Sequence, residues 1–221
     1  MNILIIAPHM DDETIGMGGT IAKHVAIGDK VHVAIIAHRV YERVYDEEIN
    51  KQEMQATLAS KDVLGYQEVD FFGLADERLD MCIQDILIPL ENYYNKVKPD
   101  ILYTNFCGDN NQDHRAVFDA VRVVIRPAST NKVKRVLMYE TPSSTDQSPP
   151  LAQNIFLPNF YISIDGFLGK KLKALSFYER EKRAFPHPRS EEGVEVLARK
   201  RGMEAGLHLA EGFMMLRDEW V

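Results

Sequence analysis

The chain has 221 residues and a formal net charge of −7, which favours one large domain and argues against nucleic acid as the main partner. Its apolar runs stay shorter than the roughly 18 residues of a membrane span, and the N-terminus leads into a strand pattern without a basic targeting region. Cys82 and Cys107 are too few for a disulfide framework. We therefore expect a cytoplasmic protein without a membrane span.

Strand and helix patterns alternate along the first part of the chain. The predicted strands are 2–7, 31–37, 69–72, 101–104 and 133–139, and the predicted helices are 13–27, 46–64, 82–97 and 114–125. This alternation predicts a single α/β domain, with a doubly wound, mostly parallel sheet flanked by helices.

The remaining residues are predicted to extend this core, which covers 1–140. A stretch rich in Pro, Ser and Gln at 141–158 indicates a long surface loop. The C-terminal extension 159–221 is predicted to contain a strand at 160–164, helices at 167–184 and 191–207, and a last strand at 213–216.

The most informative segment follows the first predicted strand. Residues 3–7 form an apolar run typical of a strand buried on both faces, and His9, Asp11, Asp12 and Glu13 come directly after it. Residues past the carboxyl end of such a strand line the ligand-binding crevice of open α/β sheets. This much negative charge is costly there unless a cation neutralises it or water reaches it. The segment therefore predicts a metal site.

A second polar segment, 105–115, follows another predicted strand and also opens a helix. Loops after the first strand and after the strand beyond the crossover face each other at the switch point of such a sheet, so we expect His9, Asp12 and His114 to meet. Two imidazoles and one carboxylate are ligands of an open catalytic zinc site, where zinc lowers the pKa of water to roughly 7. Asp11 is then available to accept a proton, and Asp113 to orient an imidazole.

Simpler interpretations exist for these residues. Asp12 and Asp113 each precede or begin a predicted helix, where aspartate commonly caps the helix N-terminus. Two Asp/His loops that both follow buried strands favour a site over two separate caps. Gly16, Gly18 and Gly19 come too far after the strand for a dinucleotide-binding loop, and we expect them to allow close helix–sheet packing.

Two motifs resemble those of a known family. Ala7-Pro8-His9-Met10-Asp11-Asp12-Glu13 resembles the AHPDDE signature of the PIG-L/LmbE-like zinc-dependent N-deacetylases, and Asn111-Gln112-Asp113-His114 resembles their second motif, usually HPDH. Further similarity extends over nearly the whole chain, including the late segment His187-Pro188-Arg189-Ser190. The resemblance implies a Rossmann-like fold and hydrolysis of the acetamide of an N-acetylglucosamine unit, which releases acetate and a free amine.

The resemblance also implies roles for individual residues. His9, Asp12 and His114 would bind one zinc per chain, with other divalent transition metals also suited to these donors. Asp11 would be the general base. Asn111 stands where the second motif usually has His, and Asn can donate a hydrogen bond to an oxyanion but cannot supply a proton.

Other polar residues are candidates for supporting roles. His187 could supply the acid function, although a surface-loop histidine is an equal alternative. Arg39 and Arg43 could hold a substrate hydroxyl or phosphate, or simply form a solvated basic turn. Arg189 and the loop 141–158 are expected to shape a sugar pocket.

Three functions remain open from the sequence. The first is an amino-sugar deacetylase with a small-molecule substrate, and a homo-oligomer is compatible with it. The second is a non-catalytic relative that binds metal and sugar without turnover. The third is a metal-dependent phosphoesterase, although such enzymes often use two metals and more ligands. Asp11 favours the enzyme, because pure binding would not need a base.

Overall fold

The computed structural model describes residues 1–41, 44–129 and 131–220. The strands in these ranges are β1 (Asn2–Ala7), β2 (Lys30–Ala37), β3 (Glu68–Leu74), β4 (Ile101–Asn105), β5 (Arg135–Tyr139), β6 (Phe160–Ser163) and β7 (Ala210–Asp218). The α-helices are α1 (Asp12–Ala26), α2 (Glu47–Leu64), α3 (Ile83–Val97), α4 (Gln112–Val124), α5 (Leu168–Leu175) and α6 (Glu191–Ala205). Two short 3-10 turns cover Ala152–Asn154 and Glu179–Glu181.

All these strands belong to one sheet, with the order β3-β2-β1-β4-β5-β7-β6. The first five strands in this order are parallel, and β7 pairs antiparallel with both β5 and β6. The predicted doubly wound, mostly parallel α/β sheet is thereby confirmed. Its switch point lies between β1 and β4, so the loops after these two strands leave the sheet side by side.

Helices cover both faces of the sheet. Alternate residues of β1 point into different cores: Leu4 and Ile6 pack with α3 and α4, whereas Ile3 and Ile5 pack with α1, α2 and α5. All four side chains are fully buried, as the continuous apolar run predicts. Within the described residues, no helix combines the length and the apolar character that crossing a membrane requires.

Close contact between α1 and the sheet explains two of the early glycines. A Cβ atom on Gly16 would lie 2.4 Å from the ring of Tyr139, and one on Gly19 would lie 2.7 Å from Ile164. Side chains at these positions would force the helix away from the sheet. The predicted packing role of these glycines is confirmed.

The C-terminal extension differs from the prediction in two places. The helix predicted at 167–184 ends at Leu175, because the chain turns there and buries Tyr178, whose hydroxyl lies 3.3 Å from Glu13 Oε1. The last strand is longer than predicted, because β7 hydrogen-bonds to strands on both sides although Glu211 and Gly212 interrupt its apolar pattern.

The loop 141–158 is mostly exposed from 146 onward, as predicted, but its first residues are buried. Thr141 and Thr145 are buried, and the hydroxyl of Thr145 donates to Asp109 Oδ2 at 3.0 Å. The beginning of the loop therefore packs against the end of the sheet where the motif residues lie.

Candidate active site

His9, Asp12 and His114 converge at the switch point of the sheet. The Oδ2 atom of Asp12 lies 3.3 Å from His9 Nδ1 and 3.1 Å from His114 Nε2, and the two ring nitrogens are 3.3 Å apart. All three side chains are buried. Asp12 does not cap α1, since its carboxylate turns back and accepts from the backbone N–H of His9 at 2.9 Å.

The other ring nitrogen of His9 faces two more carboxylates. His9 Nε2 lies 2.9 Å from Asp76 Oδ1 and 3.3 Å from Asp113 Oδ2. Asp76 also accepts from the backbone N–H groups of Val40 and Glu77, and Asp113 from those of Glu77 and Leu79. His9, Asp76 and Asp113 form a second group of possible metal ligands, with a single imidazole. The same two carboxylates can instead orient the imidazole of His9 for ligation through Nδ1.

A third carboxylate orients His114 in the same way. Asp109 Oδ2 lies 3.1 Å from His114 Nδ1, which leaves Nε2 to face Asp12 and His9. The carbonyl oxygen of His114 also accepts from Asn105 Nδ2 at 2.8 Å. Both candidate imidazole ligands thus have one nitrogen held by a carboxylate and the other directed at the same point.

The charges in this cluster alter the ionisation of its members. Burial opposes ionisation of His114, but Asp12 and Asp109 outweigh it and raise the pKa of His114 to about 9. Burial likewise opposes the charge on His9, whose pKa the carboxylates of Asp113, Asp12 and Asp76 raise well above its usual value. Burial disfavours the charged form of Asp12, yet His114 and His9 hold the pKa of that carboxyl well below its usual range. The buried carboxylates of this cluster therefore stabilise positive charge placed between them.

His9, Asp12 and His114 are suited to bind a divalent cation. Their ligand atoms all lie within 4.8 Å of one another, and two imidazoles with one carboxylate form a donor set for zinc with room for a further ligand. When both rings are neutral, the two facing nitrogens and Asp12 Oδ2 can all present lone pairs to one cation. A cation also supplies the positive charge that the buried carboxylates select.

Asp11 lies next to this cluster but faces away from it. Its backbone has φ 106° and ψ −30°, a conformation rare for a residue with a side chain, and it directs Asp11 and Asp12 to different surroundings. Arg189 Nη1 lies 3.3 Å from Asp11 Oδ2, while the buried Oδ1 has no hydrogen-bond partner among the described residues. Burial raises the pKa of Asp11 to about 8, against the opposing effect of Arg39 and Arg189.

Glu181 joins the two arginines around Asp11. Its carboxylate accepts from Arg39 Nη2 at 2.6 Å and from Arg189 Nη1 at 3.0 Å. Arg39 lies farther from Asp11 Oδ2, at 3.9 Å. Arg39 and Arg189, which were predicted to bind substrate, therefore both lie near Asp11, and Arg43 falls outside the described residues.

The two candidates for oxyanion binding and acid catalysis have defined local contacts. Asn111, not Asp113, caps α4, since its Oδ1 accepts from the backbone N–H of Asp113 at 2.8 Å. Only Nδ2 of Asn111 is then left to donate to a ligand. His187 Nδ1 accepts from the backbone N–H of Arg189, and His187 does not line the cavity that adjoins Asp11. The acid role of His187 stays a prediction without a supporting contact.

Sequence reasoning missed three residues of this site. Asp76 follows β3 at the same edge of the sheet as His9 and could have been found from that position. Asp109 lies in the second polar segment, two positions before Asn111. Glu181 lies in an irregular turn and carried no local signal.

The sequence and the fold identify the class of protein to which this site belongs. The chain is a member of the PIG-L family, described as GlcNAc-PI de-N-acetylase, whose profile matches residues 4–125. The uncharacterized deacetylase YaiS of Escherichia coli K12 is 29% identical over 147 residues, which cover 64% of this chain and 75% of YaiS.

Solved structures share the fold over nearly the full length. N,N'-diacetylchitobiose deacetylase from Pyrococcus horikoshii has a TM-score of 0.77 at 19% identity, covering 97% of this chain and 83% of its own. GalB, the 4-carboxy-2-hydroxymuconate hydratase from Pseudomonas putida KT2440, has a TM-score of 0.77 at 20% identity, covering 100% and 98%. The two neighbours have different reactions, so at these identities the likeness establishes the fold alone.

Proposed function

We propose that this protein is a metal-dependent amidohydrolase that removes the acetyl group from an N-acetylglucosamine-type sugar or glycoside, releasing acetate and a free amine. The observation that carries the proposal is a buried carboxylate with an unpartnered oxygen, Asp11, in the residue directly before Asp12, one of the three converging candidate ligands. A pure binding site has no use for such a base. Membership of the PIG-L family supports the choice of reaction.

His9, Asp12 and His114 would hold the metal, which when bound polarises the amide carbonyl and lowers the pKa of a water. Zinc suits this donor set, and iron or cobalt would accept the same ligands. Asp76, Asp113 and Asp109 keep the two imidazoles in the orientation that ligation requires.

Asp11 carries the proton in the proposed reaction. Its Oδ1 accepts a proton from the water that attacks the amide carbon, while Arg189 stays on Oδ2. Burial raises the pKa of Asp11 to about 8, so this carboxyl can hold an accepted proton and return it to the nitrogen as the C–N bond breaks. The cycle starts from the carboxylate form, which Arg39 and Arg189 favour and which a bound cation would favour further. The second proton of the water leaves the new carboxylic acid for the amine or the solvent, so the products are acetate and the amine, and Asp11 ends as the carboxylate from which it started.

Two further residues are assigned to the substrate. Asn111 Nδ2 is assigned as a donor to the developing oxyanion, because the capping hydrogen bond uses only Oδ1. Arg189 borders the cavity beside Asp11 and is assigned to a hydroxyl of the sugar. We assign proton return to Asp11 rather than to His187, which does not line that cavity.

An assay of acetate release tests the proposal. Purified protein loaded with zinc is incubated with a panel of N-acetylglucosaminides, and acetate and free amine are measured together. Asp11→Asn is expected to keep the metal and lose turnover by roughly 10²–10⁴-fold, and His114→Ala is expected to lose the metal. Asp62→Asn, at a side chain that is 80% exposed, is the matched control.

Each outcome distinguishes between functions. Acetate release that depends on Asp11 supports the deacetylase. Stable metal and sugar binding without turnover of any panel member would make the chain a binding protein. An Asp11→Asn variant with near-normal turnover would remove the proposed base, and one without metal would make Asp11 a ligand.

A further inference from the structure

We propose that the cavity beside Asp11 binds an apolar group of the substrate, so that the protein prefers amides with an acyl chain longer than acetyl or sugars with an apolar aglycone. The inference rests on the proposed function and specifies the substrate of the same site.

The cavity extends from Asp11 between α1 and α5 and has a volume of about 220 Å³. Its apolar wall is formed by Ile15 of α1, Leu172 and Leu175 of α5, and Tyr178, and the remaining lining residues are polar or charged. An apolar cavity of about 150 Å³ already accommodates a benzene molecule. The space beside Asp11 is therefore larger than the methyl group of an acetamide needs, and its walls suit a hydrocarbon chain.

The aliphatic residues of this wall lie outside the two main core clusters. Ile15 is buried and Leu172 and Leu175 are half-buried, yet none of the three belongs to either of the two core clusters of the described chain. All three line the cavity. Apolar surface arranged in this way gains favourable burial when an apolar ligand enters.

The mouth of the cavity is polar. Lys182, Arg183 and Glu191 border it together with Arg189 and Glu181, and the side chains of Lys182 and Arg183 are 49% and 42% exposed. An amphipathic ligand with a buried chain and a solvated end matches this arrangement, whereas a sugar ring alone would leave the wall of Ile15 and the two leucines without an apolar partner.

A different groove borders Asp76, whose Oδ1 lies 2.9 Å from His9 Nε2. It has a volume of about 810 Å³ and includes His38, Tyr45, Arg78 and Gln112. These side chains offer hydrogen bonds to hydroxyl groups. Sugar hydroxyls therefore have polar partners in this groove, whereas the cavity beside Asp11 offers aliphatic surface, so we assign the apolar part of the substrate to that cavity.

Two substrate series test the inference. In the first, the acyl group of N-acylglucosamine is lengthened from acetyl to butyryl and hexanoyl. In the second, the acyl group stays acetyl and the aglycone of the glycoside is lengthened from methyl to hexyl. We measure kcat/KM with the wild type and equilibrium Kd with zinc-loaded Asp11→Asn, which reports binding without turnover. Each buried methylene is expected to improve binding about four-fold.

Substitutions in the wall separate this effect from general hydrophobicity. Leu172→Asn and Leu175→Asn, made singly in both backgrounds, are expected to bring the ratio of long-chain to short-chain affinity close to one. Leu58→Asn, on an exposed part of α2, makes the same change away from the cavity and is expected to keep the ratio. Thermal unfolding of each variant shows whether its fold is intact.

The outcomes are separable from those of the proposed function. A chain-length gain in either series that the wall variants abolish supports the inference, and the responding series identifies the acyl chain or the aglycone as the occupant. Deacetylation with no gain in either series overturns the inference and leaves the function standing. Absence of turnover defeats the proposed function, and the binding series then still decides whether the cavity takes an apolar chain.

Discussion

Asp109→Asn should weaken metal binding without unfolding the protein. Asp109 Oδ2 lies 3.1 Å from His114 Nδ1 and accepts from Thr145 at 3.0 Å, while Oδ1 accepts from the backbone N–H of Asn111 at 3.2 Å. An asparagine has one acceptor oxygen where Asp109 has two. Its NH₂ group must therefore face at least one of these three donors, and no hydrogen bond can form there. His114 then loses the carboxylate that fixes its orientation.

The expected loss of metal affinity is about 10–100-fold, which corresponds to about 1.4–2.7 kcal/mol. Asp109 also raises the pKa of His114, so its removal reduces competition between protons and the metal at this ring. The loss should therefore be larger at about pH 9 than at about pH 7.

Competition titration with a chromophoric chelator measures this affinity across the pH range. Asp119→Asn, on the same helix as His114 and with a side chain that is 46% exposed, is the control. A variant that folds normally and binds zinc within two-fold of the wild type at about pH 9 would refute the orienting role of Asp109.

Three further changes test other parts of the site and fold. Asn111→Ser keeps a capping oxygen but removes Nδ2, so we expect near-normal thermal stability with kcat reduced by roughly 10²–10³-fold in the acetate assay; unchanged kcat would exclude the oxyanion role. Glu211→Ala leaves the buried Lys171 and two backbone N–H groups of α1 without their carboxylate partner. Urea titration should therefore give a free energy of unfolding about 3–5 kcal/mol lower than that of the wild type. Glu195→Ala, at a partly exposed residue of α6, is the control. Burial opposes the charge on Glu181, but Arg39 and Arg189 hold its pKa below the ordinary value of 4.5, so its stabilising effect is present above that pH and is lost as pH falls through the lowered pKa. The stability difference between wild type and Glu181→Gln should therefore shrink under acid, and a difference independent of pH would contradict this.

The parts of the fold that follow from local pattern were predictable. Residues 3–7 are apolar throughout, and 31–37 are apolar except for the half-buried His32, because helices cover both faces of these strands. This pattern predicted their place in a parallel sheet. The predicted helix at 167–184 failed because a tertiary contact decides its end. Tyr178 is drawn into the core beside Glu13, and this burial outweighs the helical preference of the residues that follow.

The same distinction applies to the candidate site. The meeting of His9, Asp12 and His114 follows from the adjacency of β1 and β4, which is a rule of doubly wound sheets. The approach of Glu181 to Arg39 joins residues that are 142 positions apart through an irregular turn, and no periodicity in either segment encodes it. Contacts made by regular elements were accessible from the sequence, while contacts made by loops required the tertiary structure.

Asp11 and Asp12 show how one backbone residue separates two chemical roles. Both carboxyls are buried, and burial opposes the charge on each. Asp12 faces two imidazoles that hold its pKa well below the usual range, so it stays an anion and suits a ligand. Asp11 has only the arginines on one oxygen, and burial raises its pKa to about 8, so it can exchange a proton near neutrality.

The positive φ of Asp11 creates this difference, because it turns consecutive side chains into different environments at a cost of about 1–3 kcal/mol in backbone strain. Two carboxylates whose pKa values are pushed in opposite directions are the pattern of paired roles in catalysis, and here that pattern depends on the conformation of a single residue.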